Sequence, residues 1–197
     1  MIENTYTKHF RDALFNTTKK IVRTENFPID GITFLDWFPI MRNINDYRLI
    51  TRGITEEIMK VVRPWANCAL GVEARGFLLM PPIAERLNNG MVVSRRPNKL
   101  AGDIIQFNQK TEYGENMLAI KKGSTTGKKV LIIDDVFATM GTVQCVEELI
   151  RKDGGEVVGV AGLIDLLYCD KVFTPSYPVI SLFSLNAPDG EFTFTEN

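Results

Sequence analysis

The chain has 197 residues, a net charge of -1, and an ordinary globular composition with 45% hydrophobic and 24% charged residues. That length suits one domain with a full core, the near-neutral charge advertises no nucleic-acid partner, and no apolar run approaches the roughly 20 residues of a membrane span. One histidine, His9, and three scattered cysteines, Cys68, Cys145 and Cys169, argue against a His-based zinc site, against Ser-His or Cys-His catalysis and for a reduced, cytoplasmic setting.

Residues 3–22 place Phe10, Ala13, Leu14 and Ile21 at helical spacing, which predicts a helix. FPIDGITFLDWFP (27–39) is rich in turn formers and aromatics and reads as an ordered loop. Asn45–Asp46 is expected to cap a helix that turns Ile50, Ile54, Ile58 and Val61 to one face and stops at Pro64. CALGV (68–72) is a short buried strand. GFLLMPPIAERL (76–87) is a loop entering a helix, with Pro81 and Pro82 in its first turn. MVVSRR is a strand ending in charge. Residues 97–116 hold five Asn and Gln residues, two glycines and little periodicity. A stretch like that inside a compact domain is functional or mobile.

GSTTGKK (123–129) lacks one spacer of a Walker A loop, ends in Lys129 where a hydroxyl is needed, and precedes a strand; it reads as a turn. KKVLIIDD is a buried strand. GTVQCVEELIRKDGG is a helix with Val143, Val146 and Ile150 inward and Gly154–Gly155 as its stop. EVVGVAGLIDL and PVISLFSL are two more apolar strands. The tail NAPDGEFTFTEN (186–197) fits either an edge strand or a frayed end. Apolar strands alternating with helices predict an α/β fold around a central, mainly parallel sheet flanked by helices.

The run VLIIDDVFATMGT (130–142) concentrates the chemistry. In a parallel sheet, ligands sit at the carboxyl ends of the strands, where Asp134 and Asp135 fall. The loop Ala138, Thr139, Met140, Gly141, Thr142 leads into a helix whose first free N–H groups attract an anion. Taken alone, the two carboxylates fit a solvated strand end and helix cap as well as a binding site. A phosphate-sized anion beside two carboxylates requires a ligand with phosphate at one end and hydroxyls, or a cation, next to it. A sugar phosphate has that form.

This run closely resembles the phosphoribosyl-pyrophosphate signature of the type I phosphoribosyltransferases. Four further matches, FPIDGITFLDWFPI (27–40), GVEARGFLLMPPIAERL (71–87), RRPNKLAG (95–102) and TEYG (111–114), resemble elements of the adenine phosphoribosyltransferases in the same order. The resemblance implies one domain over 1–197. It comprises an N-terminal hood (1–40), a mobile active-site loop (97–116) and a phosphoribosyl-pyrophosphate-binding strand-loop-helix (130–150). It implies transfer of the phosphoribosyl group of 5-phosphoribosyl 1-pyrophosphate to adenine, giving AMP and pyrophosphate. A homodimer is implied too.

By the same resemblance, Asp134 and Asp135 hold the ribose hydroxyls and the 138–142 loop takes the 5′-phosphate. Glu73, Ala74, Arg75, Arg95, Arg96 and Lys99 meet the pyrophosphate, helped by magnesium held mainly through substrate oxygens and water. Phe34 and Val136 sandwich the purine, and Thr33 and Leu35 contact its edge through the main chain. Glu112 and Tyr113 belong to a loop that closes over the site, with Glu112 managing a proton at the purine. Met140 departs from the glycine of that subgroup's ATGGT; a side chain is tolerable there if φ stays negative. Transfer to another purine is the nearest rival reading. A non-catalytic regulator binding nucleic acid lacks a basic face or separate module, and a phosphoribosyl-pyrophosphate synthetase needs two such units.

Overall fold

A computed structural model describes residues 5–62, 66–111 and 114–195. Its centre is a seven-stranded sheet. Five strands run along it, β3 (Cys68–Val72), β4 (Gly90–Ser94), β7 (Lys129–Ile133), β9 (Glu156–Leu166) and β10 (Val179–Leu185). β11 (Phe192–Phe194) closes one edge and β8 (Val136–Phe137) pairs with β9, giving the order β11-β10-β9-β7-β3-β4. Every pairing is parallel except β10 with β11. The expected α/β architecture is therefore present, and the tail is an edge strand.

From β3 the chain steps one way to β4, while β7 lies on the other side. The crevice beyond the carboxyl ends of β3 and β7 is thus a topological switch point, where such sheets bind ligands. Both EARG and DD emerge there.

Side chains alternate across the sheet. Leu131 and Ile133 face the cluster built with α3 (Ile44–Val61) and α4 (Gly76–Leu87), through Ile50, Ile54, Ile58, Leu79 and Ile83. Val130 and Ile132 face the opposite cluster with α5 (Gly141–Lys152), through Val143, Val146, Leu149 and Ile150. Period 2 in the strands and 3.6 in the helices make these faces coincide. Among the described residues no helix is long and apolar enough to cross a membrane.

Several local expectations need correction. Helix α1 spans Thr5–Asn16, and its Ala13 is exposed while Leu14 is buried. The cap of α3 is Asn43, two residues before the expected pair. Its Oδ1 accepts the N–H groups of Asn45 (2.9 Å) and Asp46 (3.3 Å), so those residues supply backbone donors. The helix ends at Val61, and Pro64 lies outside the described residues. Pro81 and Pro82 sit inside α4, beyond its first turn. Pro82 offers no N–H to the Leu78 carbonyl, which instead accepts the Tyr47 hydroxyl proton.

The segment 97–116 is more ordered than its composition suggests. A short 3₁₀ turn at Pro97–Lys99 leads to β5 (Ile104–Thr111), which pairs antiparallel with β6 (Gly114–Lys121). The polar residues hide a half-buried alternation: Ile105 and Phe107 of β5, with Leu118 and Ile120 of β6, cover the α5 face. Glu112 and Tyr113, between β5 and β6 in the sequence, lie outside the described residues. The 27–39 segment also contains regular structure. β2 (Phe34–Asp36) pairs with β1 (Val22–Thr24), and α2 (Phe38–Met41) follows.

GSTTGKK is a turn, as expected, wrapped on the buried carboxylate of Asp153. That group accepts the N–H of Gly123 (2.6 Å), the N–H of Thr125 (2.7 Å) and the Thr125 hydroxyl (2.8 Å).

Candidate active site

The two aspartates after β7 play different parts. Asp135 is 4% exposed. Its Oδ2 accepts Trp37 Nε1–H (2.8 Å) and forms an ion pair with Arg75 Nε at 2.8 Å. Arg75 donates further to the Leu35 carbonyl (3.1 Å), and its guanidinium lies 4.7 Å from the centroid of the Phe34 ring. One carboxylate therefore ties β2, the EARG loop and the strand end together. Trp37 is wholly buried, so its indole N–H needs such an acceptor.

Asp134 is half-buried and makes no ion pair with a described residue; its Oδ1 accepts the Asp135 N–H (2.9 Å). Burial, and then the charge of Asp135, hold its carboxyl well above the usual carboxylate range, and nearby Arg75 offsets this only in part. Asp134 is thus the carboxylate poised for new hydrogen bonds or a cation.

Helix α4 approaches this strand end through Gly76. A Cβ there would lie 2.5 Å from the Ile133 carbonyl oxygen and 3.3 Å from Asp134 Cα. Gly76→Ala is expected to cost about 1–3 kcal/mol through forced displacement of backbone. Turnover should fall beyond what the lost stability explains, because the helix bears on Asp134. Thermal melts and steady-state rates on the same variant check this.

The predicted phosphate loop borders a small hollow of ≈ 80 Å³, lined by Asp134, Val136 and residues 137–143. Gly141 N–H lies 3.4 Å from Thr139 Oγ1. Met140 has φ 67° and ψ 6°, so the expected negative φ is not observed. Its side chain is 5% exposed and belongs to the apolar cluster with Phe137, Val143 and Val146. The bulk is therefore accommodated beneath the loop.

On the other side of EARG lies a larger cavity of ≈ 760 Å³ lined by Glu73, Ala74, Arg96 and Lys99, among others. Glu73 does not present a free charge. Its Oε1 accepts Arg95 Nη2–H (3.1 Å) and its Oε2 accepts the Arg96 N–H (2.7 Å). Burial would raise this carboxyl, but those bonds and the arginine charges outweigh it, so the group stays below the usual range. Arg95 is held by Glu73, while Arg96 and Lys99 are exposed at the cavity. The Arg75 side chain turns to Asp135 and Phe34, away from the cationic edge with which the sequence grouped it.

Of the predicted base contacts, Thr33, Phe34 and Val136 are half-buried. Leu35 is core, and its carbonyl is engaged by Arg75. Among the described residues no cluster of three or more His, Cys, Asp or Glu groups forms a ready metal site. Sequence reasoning missed Trp37 and Lys171. Trp37 carried a signal, as a large aromatic with one obligatory donor between Asp36 and Phe38. Lys171 carried none, because its partners lie on β8, β9 and the loop.

Comparison with known proteins agrees with this geometry. The model of the phosphoribosyl transferase domain matches residues 44–191. An adenine phosphoribosyltransferase of Desulforamulus reducens is 37% identical over 174 residues, 86% of this chain and 98% of that protein. The crystal structure of the enzyme of that name from Thermoanaerobacter pseudethanolicus superposes with a TM-score of 0.80 at 30% identity, covering 87% of this chain and 99% of that one. A Trypanosoma brucei adenine phosphoribosyl transferase, solved in complex with AMP, pyrophosphate and ribose-5-phosphate, gives 0.74 at 28% identity, covering 87% and 79%. With a domain match over most of its length and relatives this similar over most of the chain, the chain belongs to the phosphoribosyl transferase family, among its adenine phosphoribosyltransferases.

Proposed function

We propose that the protein transfers the phosphoribosyl group of 5-phosphoribosyl 1-pyrophosphate to adenine, releasing pyrophosphate and forming AMP, a purine-salvage reaction. The carrying observation is that Asp134, after β7, lines one hollow at the switch point, while a second cavity opens past the ends of the neighbouring strands β3 and β4. The first is the 138–142 hollow and the second the Arg96–Lys99 cavity. A donor with phosphate at one end and pyrophosphate at the other spans such a pair. The Trypanosoma brucei relative, crystallised with AMP, pyrophosphate and ribose-5-phosphate, supports the same reading.

In this reading the purine attacks C1 of the ribose while the bond to pyrophosphate breaks. Asp134 accepts the ribose hydroxyls and offsets the positive charge that develops on the sugar ring. Asp135 acts through Arg75 and Trp37, fixing the floor on which the ribose and base rest. Arg96 and Lys99, with the Glu73–Ala74 backbone, receive the departing pyrophosphate. Arg75, facing Phe34, sits on the base side. Residues 1–40 form a hood over the purine, with Thr33, Phe34, Leu35 and Val136 as its neighbours. Glu112 and Tyr113 close over it, and Glu112 manages the purine proton. Asp134, which makes no ion pair with a described residue, would help to hold magnesium together with substrate oxygens and water, and the ion would supply charge neutralisation at the pyrophosphate. Cys68, Cys145 and Cys169, none of them in a disulfide, suit a cytoplasmic setting. The exposed apolar residues Phe27, Ile29 and Ile32 suit a homodimer.

Incubating the protein with magnesium, the sugar donor and adenine, hypoxanthine, guanine or xanthine in turn tests the proposal. Pyrophosphate release is expected with adenine. A stronger response to another base would reassign the substrate, and none with any base would remove the activity.

A further inference from the structure

The phosphate loop is bonded from behind by a segment that the proposed chemistry does not use. Lys171 Nζ donates to the carbonyls of Phe137 (3.1 Å), Ala138 (2.6 Å) and Leu166 (3.0 Å), and to Asp165 Oδ1 (2.6 Å). The next residue, Val172, donates its N–H to the Thr139 carbonyl (2.9 Å). Three successive carbonyls, 137 to 139, are therefore drawn to residues 171–172. In a trans peptide the carbonyl and the following N–H point in opposite directions. The N–H groups of Ala138, Thr139 and Met140 must then face the other side of the loop, where the hollow lies.

We propose that Lys171 is the positioning residue of the phosphate loop, gathering its carbonyls so that its N–H groups converge on the 5′-phosphate. This rests on the reading of that hollow as the 5′-phosphate subsite. Four acceptors surround an ammonium with three hydrogens, so the group is held from several sides. Asp165 supplies its counter-charge; it lies on β9 directly opposite Phe137 in the β8 pairing. The loop thus gains a fixed orientation without Lys171 touching the ligand. With its carbonyls unheld, the loop could turn an oxygen toward the phosphate and repel it.

Equilibrium binding of AMP and of adenosine, which lacks the phosphate, tests this on the full chain. Lys171→Met should weaken AMP by about tenfold or more, the scale of losing hydrogen bonds to a charged group, and leave adenosine affected by less than about threefold. The KM for the sugar donor should rise with it while kcat changes little. Lys171→Arg should recover part of the loss. Equal weakening of both ligands, or of neither, would overturn the positioning role. A wild-type protein with no preference for AMP over adenosine would instead overturn the phosphate subsite itself. If Lys171→Met does not fold, Lys171→Gln carries the same comparison.

Discussion

Asp135→Ala is expected to destabilise the protein by about 3–5 kcal/mol, the scale of removing one member of a buried ion pair. The loss falls on two groups at once. Arg75 keeps its charge with only 27% of its side chain exposed, and the indole N–H of wholly buried Trp37 loses its acceptor. Against a total stability of about 5–15 kcal/mol, that leaves a protein near the edge of folding. Asp134→Asn is expected to behave in the opposite way. An amide oxygen at Oδ1 can still accept the Asp135 N–H, so the backbone turn survives. Turnover should fall by about 10²–10³-fold, the scale of deleting one preorganised electrostatic group.

The pH dependence gives the same pair a sharper signature. The Asp134 carboxyl is raised in the folded state by burial and by Asp135. As pH rises past the unfolded carboxyl value of about 3.9, the unfolded chain releases this proton while the folded chain retains it. Stability is therefore lost as pH rises toward the folded value, and the loss persists above it. Asparagine removes that contribution. Wild type and Asp134→Asn should melt alike near pH 3.5, and the variant should melt higher at pH 8. A variant that melted lower at pH 8 would refute the buried, strained carboxylate. A double Asn variant that stayed fully stable would refute the anchoring role of Asp135.

The strand-DD-loop-helix unit was legible because its parts are contiguous. An apolar run of strand length, two carboxylates, a hydroxyl-rich loop and a 3.6-period helix follow one another without interruption. The Asp135–Arg75–Trp37 contact was not legible, since it joins residues 60 and 98 positions apart through a loop crossing. Local pattern cannot say which of two adjacent carboxylates a distant cation will take. The hairpin was obscured for another reason. Gln106 and Asn108 are exposed on either side of Phe107, so the stretch looked uniformly polar although Ile105 and Phe107 cover α5. Placing Arg75 with Arg95, Arg96 and Lys99, as the resemblance implied, did not foresee that its guanidinium meets Phe34 and the Leu35 carbonyl.

Met140→Gly is expected to destabilise the protein, although glycine suits the backbone there better. Two terms oppose one another. A left-handed φ of 67° costs a methionine about 1–2 kcal/mol that glycine would not incur. The side chain is nevertheless almost fully buried, and deleting a methionine of that kind costs about 2–5 kcal/mol. Glycine also adds about 0.4–1 kcal/mol of unfolded-chain entropy to be lost on folding. Burial wins, with a net cost of about 0.4–5 kcal/mol by these magnitudes. Met140→Ala supplies the control, because it loses most of the same burial while keeping the left-handed strain. The melting order should therefore be wild type, then Gly, then Ala. Alanine at or above glycine would mean that φ is not positive in solution. The KM for the sugar donor should move by less than about threefold in the glycine variant, since the loop already adopts a glycine-like backbone and the methionine lies beneath it. A large fall in KM would instead place the side chain in the path of the phosphate. Methionine at this position thus trades backbone strain for packing against the α5 face, and the phosphate loop keeps the shape a glycine would give it.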